Sequence, residues 1–154
     1  MREIIHKFYQ SFQELDAEGM VSCYHPEVVF EDPAFGVLKG EHAGNMWKML
    51  CKSQKGKNFS VTFTEVYADE MSGQAHWEAY YTFSKTGRKV HNQIDAKFKF
   101  KDGLIIDHRD HFDLYAWAKQ AMGPVGFLMG WTTYFKRKLN SQTNTLLRKY
   151  EEKL

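Results

Sequence analysis

Hydrophobic and polar residues alternate along the stretch from Thr86 to Leu114, and this alternation predicts two long β-strands. The strands meet at Lys101-Asp102-Gly103, and an Asp-Gly pair between alternating segments is a strong β-hairpin signal. Successive side chains of a strand point to opposite faces of the sheet. The first strand is therefore expected to bury its more apolar set, namely Asn92, Ile94, Ala96, Phe98 and Phe100.

The second strand of this hairpin carries ionisable groups on both faces. One face combines His108 and Asp110 with Phe112 and Leu114, and the other holds Ile105, Asp107, Arg109, His111 and Asp113. A face that places a few polar groups among apolar side chains is the usual form of a small-molecule site. The hairpin therefore predicts a mostly apolar cavity with convergent polar groups.

The rest of the chain reads as helices followed by strands. Helical spacing of apolar residues predicts helices at residues 2–15, 20–24 and 41–52, with a glycine-bearing loop before the third. Alternation predicts a brief strand at 28–33 and long strands at 58–68 and 74–83, the former with Val61, Phe63 and Tyr67 on one face. Four long strands that follow three helices predict an α+β fold whose curved antiparallel sheet wraps around the N-terminal helices.

The segment after Tyr115 predicts an added helical tail. A short helix ends at Met122-Gly123-Pro124, and a further helix starts at Thr132. We therefore divide the chain into a main domain at residues 1–122 and a C-terminal helical extension at residues 123–154. The extension is expected to pack on its own sheet or on a second subunit. The alternatives are a lid over the pocket or an interfacial membrane helix, because Lys136-Arg137-Lys138 lies beside an apolar run.

Composition narrows the function classes. A chain of 154 residues fits one domain with a full hydrophobic core, and an aromatic share of 16% favours an aromatic-lined interior or interface. A net charge of +2 with scattered basic residues gives no reason to expect nucleic-acid binding. The N-terminal segment has charges inside each short apolar run, so neither a signal peptide nor a membrane span is expected. Membrane partners are likewise not expected.

No cofactor or metal is expected either. Cys23 and Cys51 stand alone without ligand spacing, which argues against a zinc site or a disulfide framework. Free buried thiols in a reducing cytoplasm are the interpretation we prefer, so a cytoplasmic location is expected. His76 and Glu78 share a strand face, but two groups alone make a poor metal site.

The order of elements, the Glu-Asp-Pro strand end and the final Asp-Gly hairpin together resemble the nuclear-transport-factor-2-like superfamily. Its members include ketosteroid isomerase, limonene epoxide hydrolase, scytalone dehydratase and the SnoaL-like polyketide cyclases. The resemblance covers about Arg2 to Gly123. It implies a cone-shaped fold around a small-molecule pocket and a homodimer formed through the convex sheet face, whereas the chemistry differs among members.

Two local matches imply site residues. Glu31-Asp32-Pro33 resembles the ketosteroid isomerase segment whose aspartate, here Asp32, shuttles a proton along the steroid. The hairpin from Thr86 to Asp113 resembles that of limonene epoxide hydrolase, whose catalytic aspartate falls on Asp110. The resemblance turns His108 and Asp110 inward. The substrate-binding wall that it implies is formed by Phe30, Trp77, Tyr81, Asn92, Ile94, Phe98 and Phe112.

Other positions depart from both relatives. The isomerase's helical tyrosine falls on Phe8, with Tyr9 expected to point elsewhere, and its second aspartate falls near Ala96. The hydrolase's arginine and aspartate fall on Trp77 and Ala79, so ordinary epoxide hydrolysis is not expected.

The remaining groups predict proton-transfer chemistry. A carboxylate among apolar side chains has its charged form disfavoured, which makes Asp32 a useful general base. His108 or Asn92 would donate a hydrogen bond to the developing oxyanion, or His108 would act as the acid in an elimination of water. The predicted function is a cofactor-independent isomerase or lyase for a hydrophobic cyclic substrate, with Asp32, His108 and Asp110 as catalytic residues.

The same residues also allow simpler interpretations. Asp32 before Pro33 is a natural turn residue that would only cap local backbone, and His108 and Asp110 would only pair with each other. The aromatic wall would then be plain core. The alternative function is a non-catalytic domain that binds an apolar ligand or dimerises as an accessory subunit.

Overall fold

A curved, open six-stranded sheet encloses the N-terminal helix on its concave side and carries a helical tail. The structure is a computed structural model that describes residues 1–154. The helices are α1 (Arg2–Gln13), α2 (Ala17–Val21), α3 (Glu41–Gln54), α4 (Leu114–Met122), α5 (Pro124–Met129) and α6 (Thr133–Glu151). The strands are β1 (Tyr24–Asp32), β2 (Gly36–Lys39), β3 (Ser60–Ala68), β4 (Ser72–Phe83), β5 (Arg88–Lys101) and β6 (Leu104–His111). The predicted α+β cone fold is confirmed.

The strand order across the sheet is β2-β1-β6-β5-β4-β3. Every neighbouring pair is antiparallel except β1 and β6, which run parallel. The prediction of an antiparallel sheet was wrong for this one pair. Because α3 and four strands separate β1 from β6 along the chain, β6 can return beside β1 in the same direction.

The β5–β6 hairpin turns at the predicted residues. Lys101 pairs with Leu104, and the two residues between them, Asp102 and Gly103, have φ angles of 54° and 75°. Positive φ at both central positions matches the right-handed twist of the flanking strands. The predicted inner face of β5 is buried from Ile94 onward, whereas Asn92 is half-buried.

Helix α1 lies inside the concave face of the sheet. Its buried residues are Ile5, Phe8, Tyr9 and Phe12, which recur at the i, i+3, i+4, i+7 spacing of one helical stripe. The expectation that Tyr9 points elsewhere was wrong, because Tyr9 lies four residues after Ile5 and three before Phe12 and therefore belongs to the same stripe. Tyr9 has no exposed surface.

Some predicted boundaries also differ. The glycine-bearing loop contains β2, which pairs with β1 through Phe30 and Leu38. Tyr24 begins β1 rather than ending a helix, and Leu114 begins α4 rather than ending a strand. On β3, a bulge between Thr64 and Tyr67 breaks the alternation, so that Tyr67 is exposed instead of sharing the inner face with Val61.

The tail folds back on the first hairpin. The side chains of Asn140, Thr143 and Asn144 on α6 donate hydrogen bonds to the backbone carbonyls of the β1–β2 turn, at 2.8 to 2.9 Å. At the other end of α6, Glu151 accepts from His42 and Asn45 of α3. No helix in the chain is both long and apolar enough to cross a bilayer.

Candidate active site

Asp32 is the last residue of β1 and is half-buried at the end of the cone that we name the mouth, where β1 turns into β2. Its Oδ1 accepts hydrogen bonds from the backbone amides of Ala34 and Phe35, at 3.0 and 2.6 Å, so the carboxylate caps the β1–β2 turn as one sequence interpretation proposed. Its Oδ2 accepts no hydrogen bond from the protein. The pKa of Asp32 is raised to about 7, mainly by burial and also by the negative charge of Asp110. The hydrogen bonds from the two backbone amides lower this pKa but do not offset the effect of burial.

The sheet register explains why two carboxylates face each other. In the parallel β1–β6 pair, Phe30 lies opposite His108 and Glu31 opposite Arg109. Because side chains alternate along both strands, Asp32 and Asp110 follow on the same face as Phe30 and His108. Two like charges on neighbouring strands in a partly dry site disfavour joint ionisation.

Asp110 belongs to a buried hydrogen-bonded chain. Its Oδ1 lies 2.9 Å from His108 Nε2 and accepts from the Trp77 indole at 3.2 Å. His108 Nδ1 lies 2.8 Å from the Tyr24 hydroxyl, which in turn accepts from the Trp47 indole at 2.8 Å. In a neutral imidazole one nitrogen donates and the other accepts, so Nε2–H donates to the Asp110 carboxylate and Nδ1 accepts the hydroxyl proton of Tyr24.

His108 lies at the closed end of the cone. Its side chain has no exposed surface, and the rings of Phe8, Phe30, Trp47 and Phe98 pack around it with centroid distances of 4.5 to 6.1 Å. Both ring nitrogens already have partners. The structure thus pairs His108 with Asp110, the simpler of the two sequence interpretations, and the closed end is filled by the protein's own aromatic side chains.

Tyr9 contributes an unpartnered hydroxyl to this interior. It is the one fully buried side-chain polar atom in the chain that forms no hydrogen bond. Burial raises the pKa of Tyr9 well above its ordinary value, and the nearby charge of Asp110 adds to this effect. An unpaired buried donor costs free energy, so the Tyr9 hydroxyl is free to bond to a group that enters the interior.

This unpaired hydroxyl gives a stability prediction. Replacing Tyr9 with Phe removes an unsatisfied donor and keeps the ring packed against Phe63, so we expect the free energy of unfolding to rise by about 1 kcal/mol. Urea unfolding of both proteins measures this. A loss of more than about 1 kcal/mol would show that the hydroxyl is satisfied in solution, by water or by a shifted side chain.

The mouth of the cone is walled by aromatic residues. Tyr81 is half-buried, and its hydroxyl accepts from the Trp117 indole of α4 at 2.7 Å. Burial raises the pKa of Tyr81, and the charge of Asp32 adds to this effect. Phe112 is buried just beyond β6. Of the predicted wall, Phe30, Ile94 and Phe98 lie deeper in the core.

Two cavities open near this wall, and neither reaches Asp32 or Asp110. An apolar groove of about 370 Å³ lies among β4, α4, α5 and α6, and Trp117, Met129 and Phe135 line it. A more open cleft of about 590 Å³ lies at the ends of β4 and β5, with Tyr81 in its lining. The hydrogen-bonded Trp117–Tyr81 pair therefore lies between the apolar groove and the open cleft.

The polar residues of β4 and β5 that alternate with the inward-facing residues lie on the convex face of the sheet. His76 contacts Asp95 at 2.9 Å and Glu78 at 3.0 Å, and His91 contacts the same Glu78. The Asp95 and Glu78 contacts raise the pKa of His76 despite its desolvation. Asp113 caps α4 by accepting from the Ala116 amide. No group of three or more metal-ligating side chains in the chain is arranged to hold a metal ion.

Sequence reasoning missed four residues of this region. Tyr24 and Trp47 contact His108 from 84 and 61 positions away, and no local pattern indicates such contacts. Trp117 was assigned to a helix without a role. Tyr9 was expected to point elsewhere, although a local signal, the i, i+3, i+4, i+7 stripe of α1, was available to identify it as buried.

The sequence profile of the SnoaL-like domain matches residues 5–108. No curated protein matches the chain.

Solved structures share the fold at low sequence identity. TerC, crystallised with polyporic acid, is 21% identical, covers 77% of this chain and 95% of its own, and has a TM-score of 0.64. An epoxide hydrolase-like protein from M. tuberculosis is 21% identical over 83% of this chain and 89% of its own, with a TM-score of 0.59. A protein with a ketosteroid isomerase-like fold from Catenulispora acidiphila is 12% identical over 81% of this chain and 96% of its own, with a TM-score of 0.65.

Proposed function

Since this chain belongs to the family of SnoaL-like domains, we propose that it is a cofactor-independent isomerase or lyase that moves a proton on a hydrophobic cyclic molecule through Asp32. The observation that carries this proposal is the carboxylate of Asp32, which has a pKa raised to about 7 and one oxygen without a protein partner. A carboxylate with these properties at the mouth of an apolar cone is suited to act as a general base.

Asp32 would remove a proton from a carbon next to a carbonyl group. The C–H electron pair moves into the carbonyl system and forms an enolate, while the proton goes to Oδ2. Return of the proton to another carbon completes an isomerisation, and loss of a leaving group completes an elimination. A raised pKa helps because it brings the base closer to the acidity of such carbon acids. The two amides on Oδ1 hold the carboxylate in one orientation.

The buried hydrogen-bonded side chains that end at Asp110 would act on Asp32 through the charge of Asp110. Because both the Trp77 indole and His108 Nε2 contact Asp110 Oδ1, they fix this carboxylate beside Asp32. The charge of Asp110 then contributes to the raised pKa of Asp32. We therefore assign His108 a positioning role, and Asp110 an electrostatic one, rather than the direct acid role considered from the sequence.

The Tyr9 hydroxyl is the candidate donor to the enolate oxygen. It is buried beside Asp110 and has no partner in the protein. A preorganised donor aimed at developing negative charge in a dry site contributes about 3 kcal/mol to the transition state. Asn92, the donor considered from the sequence, is only half-buried near the end of β5 and is the weaker candidate.

The substrate class follows from the walls. Tyr81 and Trp117 line the two cavities near the site, Trp77 and Phe112 are buried close to them, and aromatic walls favour flat, cyclic, apolar ligands. The related structure of TerC was crystallised with polyporic acid, which supports a cyclic ligand for this fold.

Deuterium uptake from heavy water into a panel of cyclic enones and unsaturated ketones tests the proposal. We expect uptake by the parent and a loss of about a thousandfold in Asp32→Asn, since a general base contributes about 10² to 10⁴ in rate. The matched control is Glu31→Gln, which removes the neighbouring carboxylate from the opposite face, where it pairs with Arg109. Equal uptake by both variants, or none by the parent, would remove Asp32 as the base for this substrate class.

A second candidate function is an apolar-ligand-binding or dimerising accessory domain. The observation that favours it is the closed end of the cone, which Phe8, Phe30, Trp47 and Phe98 fill around His108. We further propose a homodimer that pairs through the convex face, and a cytoplasmic location in keeping with the free buried thiols of Cys23 and Cys51. A ligand that co-purifies with a protein inactive in the exchange assay would favour this second function.

A further inference from the structure

Helix α5 is built with its small residues inward and its large apolar residues outward. Gly126 and Gly130 are buried against α4, where a Cβ on either residue would overlap Ala118. This close approach of two backbones leaves no room for large side chains on the inner face. The apolar residues between and beside the two glycines must therefore face the solvent, which reverses the usual arrangement of a surface helix.

These outward residues form a continuous apolar surface that we name the tail patch. It consists of Val125, Phe127, Leu128, Met129, Trp131 and Tyr134, whose exposed fractions run from 42% to 70%. Six of the twelve large hydrophobic residues that the chain exposes thus lie within ten positions. A concentration of this kind marks an interaction site, whereas single exposed hydrophobic residues need no explanation.

The charge of the surrounding segment has one sign. Residues 114–150 contain six basic and no acidic residues, while the rest of the chain contains 15 basic and 19 acidic residues. Lys138 lies over the ring of Tyr134, at 6.0 Å from its centroid, and Lys119 lies over Tyr115, whose hydroxyl bonds to the Phe127 carbonyl. Basic groups therefore border the tail patch itself.

We propose that the tail patch docks this protein on the surface of a lipid bilayer with anionic headgroups. Phe127, Leu128 and Trp131 would enter the boundary between headgroups and acyl chains, and the bordering Lys and Arg would contact the headgroup phosphates. The chain rests on the surface rather than crossing it, as no helix is suited to span a bilayer. A second copy of the patch is disfavoured as the occupant because its basic border would repel this one.

The apolar groove opens on the same side of the molecule. Val125, Met129 and Tyr134 belong both to the tail patch and to the lining of the groove, whose inner part includes Trp117. An apolar ligand dissolved in a bilayer would thus reach Trp117 without crossing bulk water. The docking proposal itself does not depend on the proposed reaction.

Flotation of the full chain with vesicles tests the docking. We expect it to float with phosphatidylcholine vesicles that contain about one third phosphatidylglycerol, to bind pure phosphatidylcholine at least about tenfold more weakly, and to be released by added NaCl. Trp131 is 70% exposed whereas Trp47, Trp77 and Trp117 are buried, so a blue shift of tryptophan fluorescence on binding reports insertion of Trp131.

Two sets of variants separate the apolar and basic parts. We expect Phe127→Ser with Leu128→Ser to abolish the blue shift, and neutralising Lys136, Arg137 and Lys138 to Gln to weaken binding on the order of a hundredfold. The control for the apolar variant is Tyr67→Ser with Met71→Ser, two residues of the β3–β4 hairpin that are 62% and 75% exposed. The control for the basic variant replaces Lys97, Lys99 and Lys101 of β5 with Gln. Both controls are expected to bind as the parent does.

The same assays can overturn the proposal. A folded parent that does not float with the anionic vesicles overturns it, as does an equal loss of binding in the patch and control variants. Light scattering after gel filtration tests for the other occupant, a second copy of the chain. If the parent is a dimer that does not float with vesicles, and if Phe127→Ser with Leu128→Ser dissociates this dimer, the tail patch binds a second copy.

Discussion

Asp32→Asn is expected to make the protein more stable than the parent above pH 7, while it removes the proposed activity. The parent must ionise a carboxylate that burial and the charge of Asp110 disfavour, and this raises its pKa from 3.8 to about 7. Asparagine stays neutral and keeps an oxygen that accepts from the amides of Ala34 and Phe35. The substitution therefore removes the penalty and preserves the turn.

The pH dependence has a definite sign. Between about pH 4 and pH 7 the folded parent keeps the Asp32 proton that the unfolded chain has already lost, so the stability of the parent falls as the pH rises. The variant lacks this titration. At pH 5 the two proteins should differ by less than at pH 8, where the advantage of the variant reaches about 2 to 4 kcal/mol, since each pKa unit corresponds to about 1.4 kcal/mol.

Urea unfolding at a series of pH values measures this difference, with Glu31→Gln as the control. The side chains of Glu31 and Arg109 are each about half exposed, so loss of their pair should change stability by less than about 1 kcal/mol, with no step between pH 5 and 8. Parallel profiles for the parent and Asp32→Asn would mean that Asp32 titrates as an ordinary surface carboxylate. Its proposed role as a base would then lose its main support.

His108→Ala is expected to destabilise the fold by about 3 to 5 kcal/mol. The substitution leaves a cavity among four aromatic rings, and it removes the partner of the Tyr24 hydroxyl and one of the two side-chain donors to Asp110. A cavity costs free energy because the surrounding side chains relax only partly, and a buried carboxylate that loses a donor adds to this cost.

The control for this variant is His111→Ala, three residues later at the end of β6. His111 is exposed and forms no side-chain hydrogen bond, so its loss should cost less than about 0.5 kcal/mol. Urea unfolding of both variants measures the difference. A cost below about 1 kcal/mol for His108→Ala would show that the buried chain of hydrogen bonds contributes little to the stability of the cone.

Local patterns were sufficient where neighbouring residues decide the structure. The Asp102-Gly103 turn follows from the two positive φ angles that a tight hairpin needs, and the alternation on β5 follows from the pleat of a strand. The inward side of Ala96 and the outward side of Asp95 were predicted from this alternation alone, and both are confirmed.

Alternation failed where the backbone departs from regular geometry. On β3, Glu65 has a φ of 55° at a bulge, and one extra residue moves every later side chain to the other face. Val66 is buried and Tyr67 is exposed for this reason. The strand β2 was missed because four residues within a glycine-bearing segment carry too weak a pattern, and its pairing with β1 depends on the turn capped by Asp32.

The sequence by itself determined the α+β fold and the main hairpin, and its resemblance to the superfamily implied the inward face that holds Asp32, His108 and Asp110. These features depend on periodicity, turn chemistry and short motifs, which act between neighbouring residues. Only the tertiary structure decided that β1 pairs with β6 in a parallel register, which brings Asp32 and Asp110 together. It also decided that Tyr24 and Trp47 pack around His108 and that the Tyr24 hydroxyl is its hydrogen-bond partner. The close packing of Gly126 and Gly130 on α4, which leaves the apolar side chains of α5 exposed, was likewise decided by the tertiary structure, because such contacts depend on how distant segments pack.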